Sequence, residues 1–188
     1  AEVTGMTPIV RVSENSETVI LRYLDVGTHG VQVPQINDAA SARLAVRRAK
    51  YYPQGMRGVA FPRSANYGLV SMADYFKQEN DKTMVIVHCE NVIGLENLEE
   101  IASVEGVDII FLGPFDLSQS LGIPGQVESP QIQAAANKVV EVCNQFGKIP
   151  GIYCTSAEDA KKRAVQGFKF LPVGMDSILI AEAFKRIV

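Results

Sequence analysis

Hydrophobic and polar positions alternate along this chain on two length scales. Short apolar, β-branched runs occur at Ile9–Val12, Gly30–Val33, Met84–Cys89, Val107–Leu112, Pro150–Tyr153 and Phe168–Val173. Longer stretches with a helical repeat lie between them, at about Ser16–Val26, Asp38–Tyr51, Gly94–Ala102, Pro130–Phe146, Ser156–Gln166 and Ser177–Ile187. The punctuation agrees with this division. Ser129-Pro130 is an N-cap with proline at the first helical position. Thr155, with Glu158 three residues on, reads as a capping box. Gly27, Gly147 and Gly167 each follow a helical stretch, where a left-handed residue ends the helix.

Strands apolar on both faces and separated by helices indicate a parallel α/β sheet. No GxGxxG follows the first strand, which argues against a dinucleotide-binding doubly wound sheet. Several strands instead end in or just before polar residues: Arg11, Glu90, Asp116 and Asp176. Active sites of (β/α)8 TIM barrels are built from such positions. Six strands over residues 1–188, read as one partial barrel domain, leave the chain roughly 60 residues short of the usual eight-stranded closure. The connection between Pro34 and Thr83 is expected to hold one helix and a Gly/Pro/Arg-rich loop, Tyr52–Val70.

Composition narrows the partners. The net charge of −3 is dispersed and there is no basic stripe, so nucleic acid is not an expected partner. The longest apolar runs are too short for a bilayer and no signal-peptide pattern is present, so no membrane association is expected. Three cysteines without a CxxC pair point to reduced thiols and a cytoplasmic setting.

The candidate chemistry gathers at three places. In Val85–Glu90, alternation puts His88 and Glu90 on one side of a strand and Val87 and Cys89 on the other, Cys89 under the helices. In Phe111–Ser118 an apolar strand stops at Gly113-Pro114 and Asp116 follows, with loop amides near Phe115 placed to face an anion. Two carboxylates at neighbouring strand ends form an incomplete oxygen cage suited to Mg²⁺ or Mn²⁺; the alternative is that each acid caps a helix or pairs with an arginine. Arg11, inside an apolar strand, reads either as a fork for a carboxylate or as one half of a buried ion pair. His88 reads as a donor to substrate or to a neighbouring side chain, or as a satisfied core histidine. Arg43, Arg47, Arg48 and Lys50 read as a solvated helix face, His29 as a solvated loop residue, and Arg57 and Arg63 as residues of the long loop that could reach an anionic substrate but that the sequence does not place.

Seven segments together resemble the HpcH/HpaI family of class II pyruvate aldolases over nearly the whole chain. They are Thr7–Val12, Gly30–Pro34, Tyr52–Gly58, the strand ending in Glu90, Val104–Asp108, Gly113–Ser118 and Val173–Asp176. The resemblance implies a (β/α)8 barrel in which Glu90 and Asp116 hold a divalent ion, Mg²⁺ or Mn²⁺ with Co²⁺ as a further candidate. It implies a 4-hydroxy-2-oxo acid cleaved to pyruvate and an aldehyde through a metal-stabilised enolate. Arg11 would contact the keto oxygen, and the amides of Phe115 and Asp116 the carboxylate. It implies a homo-oligomer, a hexamer built as a trimer of dimers. Related expectations are an acyl-CoA lyase or an oxaloacetate decarboxylase of the same superfamily, or a barrel that binds a metabolite without turning it over. Three departures stand out. The family usually has Gln where His88 stands and a small residue where Phe115 stands. Its acid–base histidine belongs to a segment that would precede Ala1, so the functional unit is expected to need further sequence upstream.

Overall fold

In a computed structural model, which describes residues 1–187, the strands form one all-parallel sheet. It contains β1 (Ile9–Arg11), β2 (Gly30–Val33), β3 (Met84–Cys89), β4 (Ile109–Leu112) and β5 (Ile149–Ile152) in the order β1-β2-β3-β4-β5. A doubly wound sheet reverses its strand order at a switch point. Here sequence order and spatial order coincide, the connectivity of a β/α barrel wall.

Helices connect the strands: α1 (Glu17–Asp25), α2 (Ala39–Ala49), α3 (Met72–Lys82), α4 (Val92–Glu96), α5 (Leu98–Ala102), α6 (Pro114–Ser120), α7 (Pro130–Gln145), α8 (Ala157–Gln166) and α9 (Asp176–Lys185). The main core lies between these helices and one face of the sheet, and takes in Val31, Val85, Val87, Cys89, Ile110 and Leu112. Strand alternation sends the other residues of β3 and β4 to the opposite face, where Ile86, Ile109 and Phe111 form a smaller cluster with Ile9, Met84, Tyr153 and Phe170. His88 and Glu90 continue this inner row towards the C-terminal end of the sheet.

Several expectations are corrected. The sixth strand is reduced to two isolated parallel bridges, Gly151 to Phe170 and Cys154 to Val173. Between them stands Pro172, which has no N–H to give to a ladder. The connection after β2 holds a second helix, α3, and a short 3-10 segment, Arg63–Gly68, as well as α2. The stretch read as one helix over Gly94–Ala102 is two, α4 and α5, meeting at Asn97. Helix α8 is capped one residue later than expected: the Ser156 hydroxyl accepts from the Asp159 amide at 3.1 Å, while Asp159 Oδ2 accepts from the Thr155 amide at 3.0 Å. Lys50 is not on the solvated face of α2. It is buried, and its Nζ donates to the carbonyls of Asn80 and Thr83.

Among the described residues no helix is long and apolar enough to cross a membrane. Helix α9 buries none of its residues and exposes Ile178, Leu179, Ile180 and Phe184.

Candidate active site

Strand β3 supplies the centre of the site. Its last turns of alternation leave Glu90 only 3 % exposed at the C-terminal end of the sheet. A buried carboxylate must find donors, and Glu90 finds three. Its Oε1 accepts from the backbone amide of Gln35 at 2.8 Å and from Gln35 Nε2 at 3.0 Å. Its Oε2 lies 3.0 Å from His88 Nδ1. Burial pushes the Glu90 carboxyl up, but the His88 contact, the Gln35 amide and the positive charge of Arg11 outweigh it, so the group stays below the ordinary glutamate value. It is therefore ionised at neutral pH.

Gln35 follows Pro34 directly after β2 and sits at φ +56°, a left-handed conformation uncommon outside glycine. That turn aims both its amide and its side chain at Glu90. Asn91 braces the far side, donating to Gln35 Oε1 at 3.2 Å and to Asn37 Oδ1 at 2.6 Å. Sequence reasoning missed Gln35. Its only local signal was a polar residue after a strand-ending proline, and its partner lies 55 positions away.

The second wall comes from β4 and α6. Gly113 ends the strand, and a side chain there would not fit. A Cβ would lie 2.8 Å from Glu90 Cβ and 3.2 Å from Oε2. Pro114 then opens α6 at its first position, so Asp116 lies in the first helical turn and not in an open loop. Asp116 is exposed, as is Phe115 at 49 %. Ser118 is buried and structural. Its hydroxyl donates to the Phe115 carbonyl at 2.6 Å and accepts from the Gly125 amide at 2.9 Å, tying α6 to the following turn.

Arg11 is the last residue of β1, within the strand as expected, and its side chain is exposed. Among the described residues its guanidinium has no ion-pair partner, so the buried-salt-bridge alternative does not hold. Arg11, His88, Glu90, Phe115 and Asp116 all line one cavity of about 470 Å³, together with Tyr153. The rings of Phe115 and Tyr153 meet edge to face at 6.5 Å on its rim.

Other expected residues fall elsewhere. Asp176 is outside the cavity, its Oδ1 accepting from the Ser177 amide at 2.7 Å. Arg57 is buried at 3 % exposure, pairs with Asp25 at 2.9 Å and lies over the Tyr51 ring at 4.7 Å, a structural role. Arg63 donates to the Val26 carbonyl at 2.9 Å and does not line the cavity. His29 is exposed at the start of β2, the opposite end of the sheet. Among the described residues no group of three or more His, Cys, Asp or Glu side chains gathers as a ready metal cage.

Comparison with known proteins follows the same geometry. The pattern described as HpcH/HpaI aldolase/citrate lyase matches residues 1–183. The 4-hydroxy-2-oxo-heptane-1,7-dioate aldolase of Klebsiella pneumoniae is 40 % identical over 182 residues, 96 % of this chain and 68 % of its own length. The crystal structure of an HpcH/HpaI aldolase from Desulfitobacterium hafniense superposes with a TM-score of 0.91 at 30 % identity, covering 100 % of this chain and 74 % of that one. The citrate synthase SbnG gives a TM-score of 0.88 at 34 % identity, covering 99 % of this chain and 72 % of its own. The chain belongs to the HpcH/HpaI aldolase/citrate lyase family, with the β/α-barrel type of fold and the carbon–carbon lyase class of chemistry that go with it.

Proposed function

We propose that this protein cleaves or forms the C3–C4 bond of a 4-hydroxy-2-oxo acid, giving pyruvate and an aldehyde, with Glu90 and Asp116 holding a divalent ion. The observation that carries this reading is that one cavity unites an ionised, donor-braced Glu90 with Asp116 and Arg11. The residues fit such an ion. Both are hard oxygen donors, and the missing side chain at Gly113 keeps the space beside Glu90 Oε2 clear. Two protein carboxylates leave positions for water and substrate oxygens, which suits Mg²⁺ or Mn²⁺, or Co²⁺ as a further candidate. When bound, the ion supplies a Lewis acid to the 2-oxo acid.

The chain's own residues do the rest. Arg11 directs its guanidinium at the 2-oxo oxygen and stabilises the negative charge that develops there as the bond breaks. The amides of Phe115 and Asp116, in the first turn of α6, have no intrahelical acceptor and bind the substrate carboxylate. Phe115 and Tyr153 cover the rim and limit the aldehyde portion that fits. Membership of the family supports a homo-oligomer, proposed as a hexamer built as a trimer of dimers, to which the exposed apolar residues of α9 offer a contact face, and three buried free thiols support a reducing, cytoplasmic setting.

The test is deuterium exchange at the methyl group of pyruvate, alongside cleavage of 4-hydroxy-2-oxo acids, with added Mg²⁺ or Mn²⁺. Glu90→Gln and Asp116→Asn should each lower exchange by at least about 100-fold. Full exchange in either variant, or after exhaustive chelation, overturns the reading. The likeness to the citrate synthase SbnG makes citrate formation the second reaction to assay.

A further inference from the structure

We infer that His88 holds the C4 hydroxyl of the substrate through its Nε2, and so sets the preference for hydroxylated over plain 2-oxo acids. This deepens the aldolase reading above and rests on it. His88 Nδ1 is hydrogen-bonded to Glu90 Oε2 at 3.0 Å. That bond fixes one edge of the ring. Phe111 fixes its face, with centroids 4.8 Å apart and planes 33° from parallel. The imidazole thus has one orientation, and its other nitrogen has one direction in which to find a partner.

Among the described residues it finds none: Nε2 is buried and makes no hydrogen bond. His88 is 5 % exposed, so bulk water does not serve it freely, and a buried polar atom left unmet is costly. The residue belongs to the cavity wall beside Glu90 and Arg11, so a molecule seated in that cavity is positioned to meet it. Of the groups on a 4-hydroxy-2-oxo acid, the carboxylate and the 2-oxo oxygen bear no hydrogen, and they are the groups drawn to Arg11 and to the α6 amides. The hydroxyl both donates and accepts. It satisfies Nε2 whether that nitrogen donates or accepts. The role is one of holding, with no proton transfer assigned to it. His29, at the far end of the sheet with its amide bound to the Pro8 carbonyl at 2.8 Å, is no competitor.

The experiment compares two reactions of the intact protein. Cleavage of a 4-hydroxy-2-oxo acid needs the hydroxyl contact, whereas methyl exchange on pyruvate has no hydroxyl to hold. His88→Leu disturbs Glu90 in both, so the ratio isolates the contact. We expect cleavage kcat/KM to fall at least tenfold more than exchange. His88→Gln, which keeps a donor and an acceptor, should restore most of the difference. Nitrogen NMR of wild-type protein labelled at histidine should show the Nε2 signal of His88 moving with the hydroxy acid but not with pyruvate. Equal losses in cleavage and exchange in His88→Leu, or an Nε2 signal indifferent to the hydroxyl, overturn the inference while leaving the aldolase reading intact. A wild-type protein that performs neither reaction overturns both. If His88→Leu does not fold, the wild-type NMR comparison alone decides.

Discussion

Gln35 spends an unfavourable backbone conformation on aiming two donors at one oxygen of Glu90. Such a residue is retained where the surrounding structure over-determines it. Truncating the side chain keeps the amide and removes the second donor. Gln35→Ala should therefore weaken Mn²⁺ binding by about 10–100-fold, the usual cost of losing a residue that orients a ligand, read by titrating the ion and following its magnetic resonance signal. Unchanged affinity would mean that the amide alone orients the carboxylate. Burial also governs the thiols. It pushes Cys89 and Cys143 up to about 12, and Cys154 upward as well. All three should resist an aromatic disulfide reagent at pH 8 in the native protein and react together once urea unfolds it. Rapid native labelling of any one would contradict its burial. At this scale the shared cavity of Arg11, His88 and Glu90 was legible because position in a strand determines direction, whereas Asp116 takes its direction from the first turn of α6. Gln35, Lys50 and Arg57 were not legible, because their roles depend on partners distant in sequence.

Elements were legible where short-range chemistry marks them. Ser129-Pro130 opens α7, with Ser129 Oγ accepting from the Ile132 amide at 3.4 Å. At α8 two overlapping caps compete, and the structure chooses Ser156 over Thr155. Ser156→Ala should cost about 1 kcal/mol, and Thr155→Ala should stay within about 0.5 kcal/mol of wild type, both measured as shifts of the urea midpoint at constant slope. The reverse order would restore the earlier boundary. Helix α3 escaped notice because it lacks an aliphatic stripe: its buried positions are Tyr75 and Asn80. Asn80 is polar by composition yet buried, pairing its side chain with both backbone groups of Tyr51 at 2.7 and 3.0 Å. Helix α6 escaped because Gly-Pro reads first as a turn, although proline is equally at home at the start of a helix.

At the scale of the molecule, Arg57 fastens the long connection to the rest. It bonds Asp25 at the end of α1 at 2.9 Å and faces Glu79 of α3 at 3.7 Å. Removing a buried charge from such a pair leaves its acids unmatched. Arg57→Ala should lower stability by about 3–5 kcal/mol, seen in urea unfolding. A loss below 1 kcal/mol would show that the acids reach solvent instead. The barrel-type fold was legible from strand spacing and polar strand ends. The weak sixth strand was not, because Pro172 withholds its N–H only where a neighbour would have asked for it.

The coincidence of strand order in sequence and in space has a consequence for how the protein is made. Within this sheet β2, β3, β4 and β5 each leave the ribosome after the preceding strand, with which each pairs. Each strand so added covers the edge left by the one before it, in the order in which they emerge. The longest interval falls between Val33 and Met84, when α2, the Arg57 loop and α3 must emerge before β3 can pair. Synthesis should therefore proceed as a zipper with one pause, and nascent chains halted inside that interval are the ones a chaperone would meet most often.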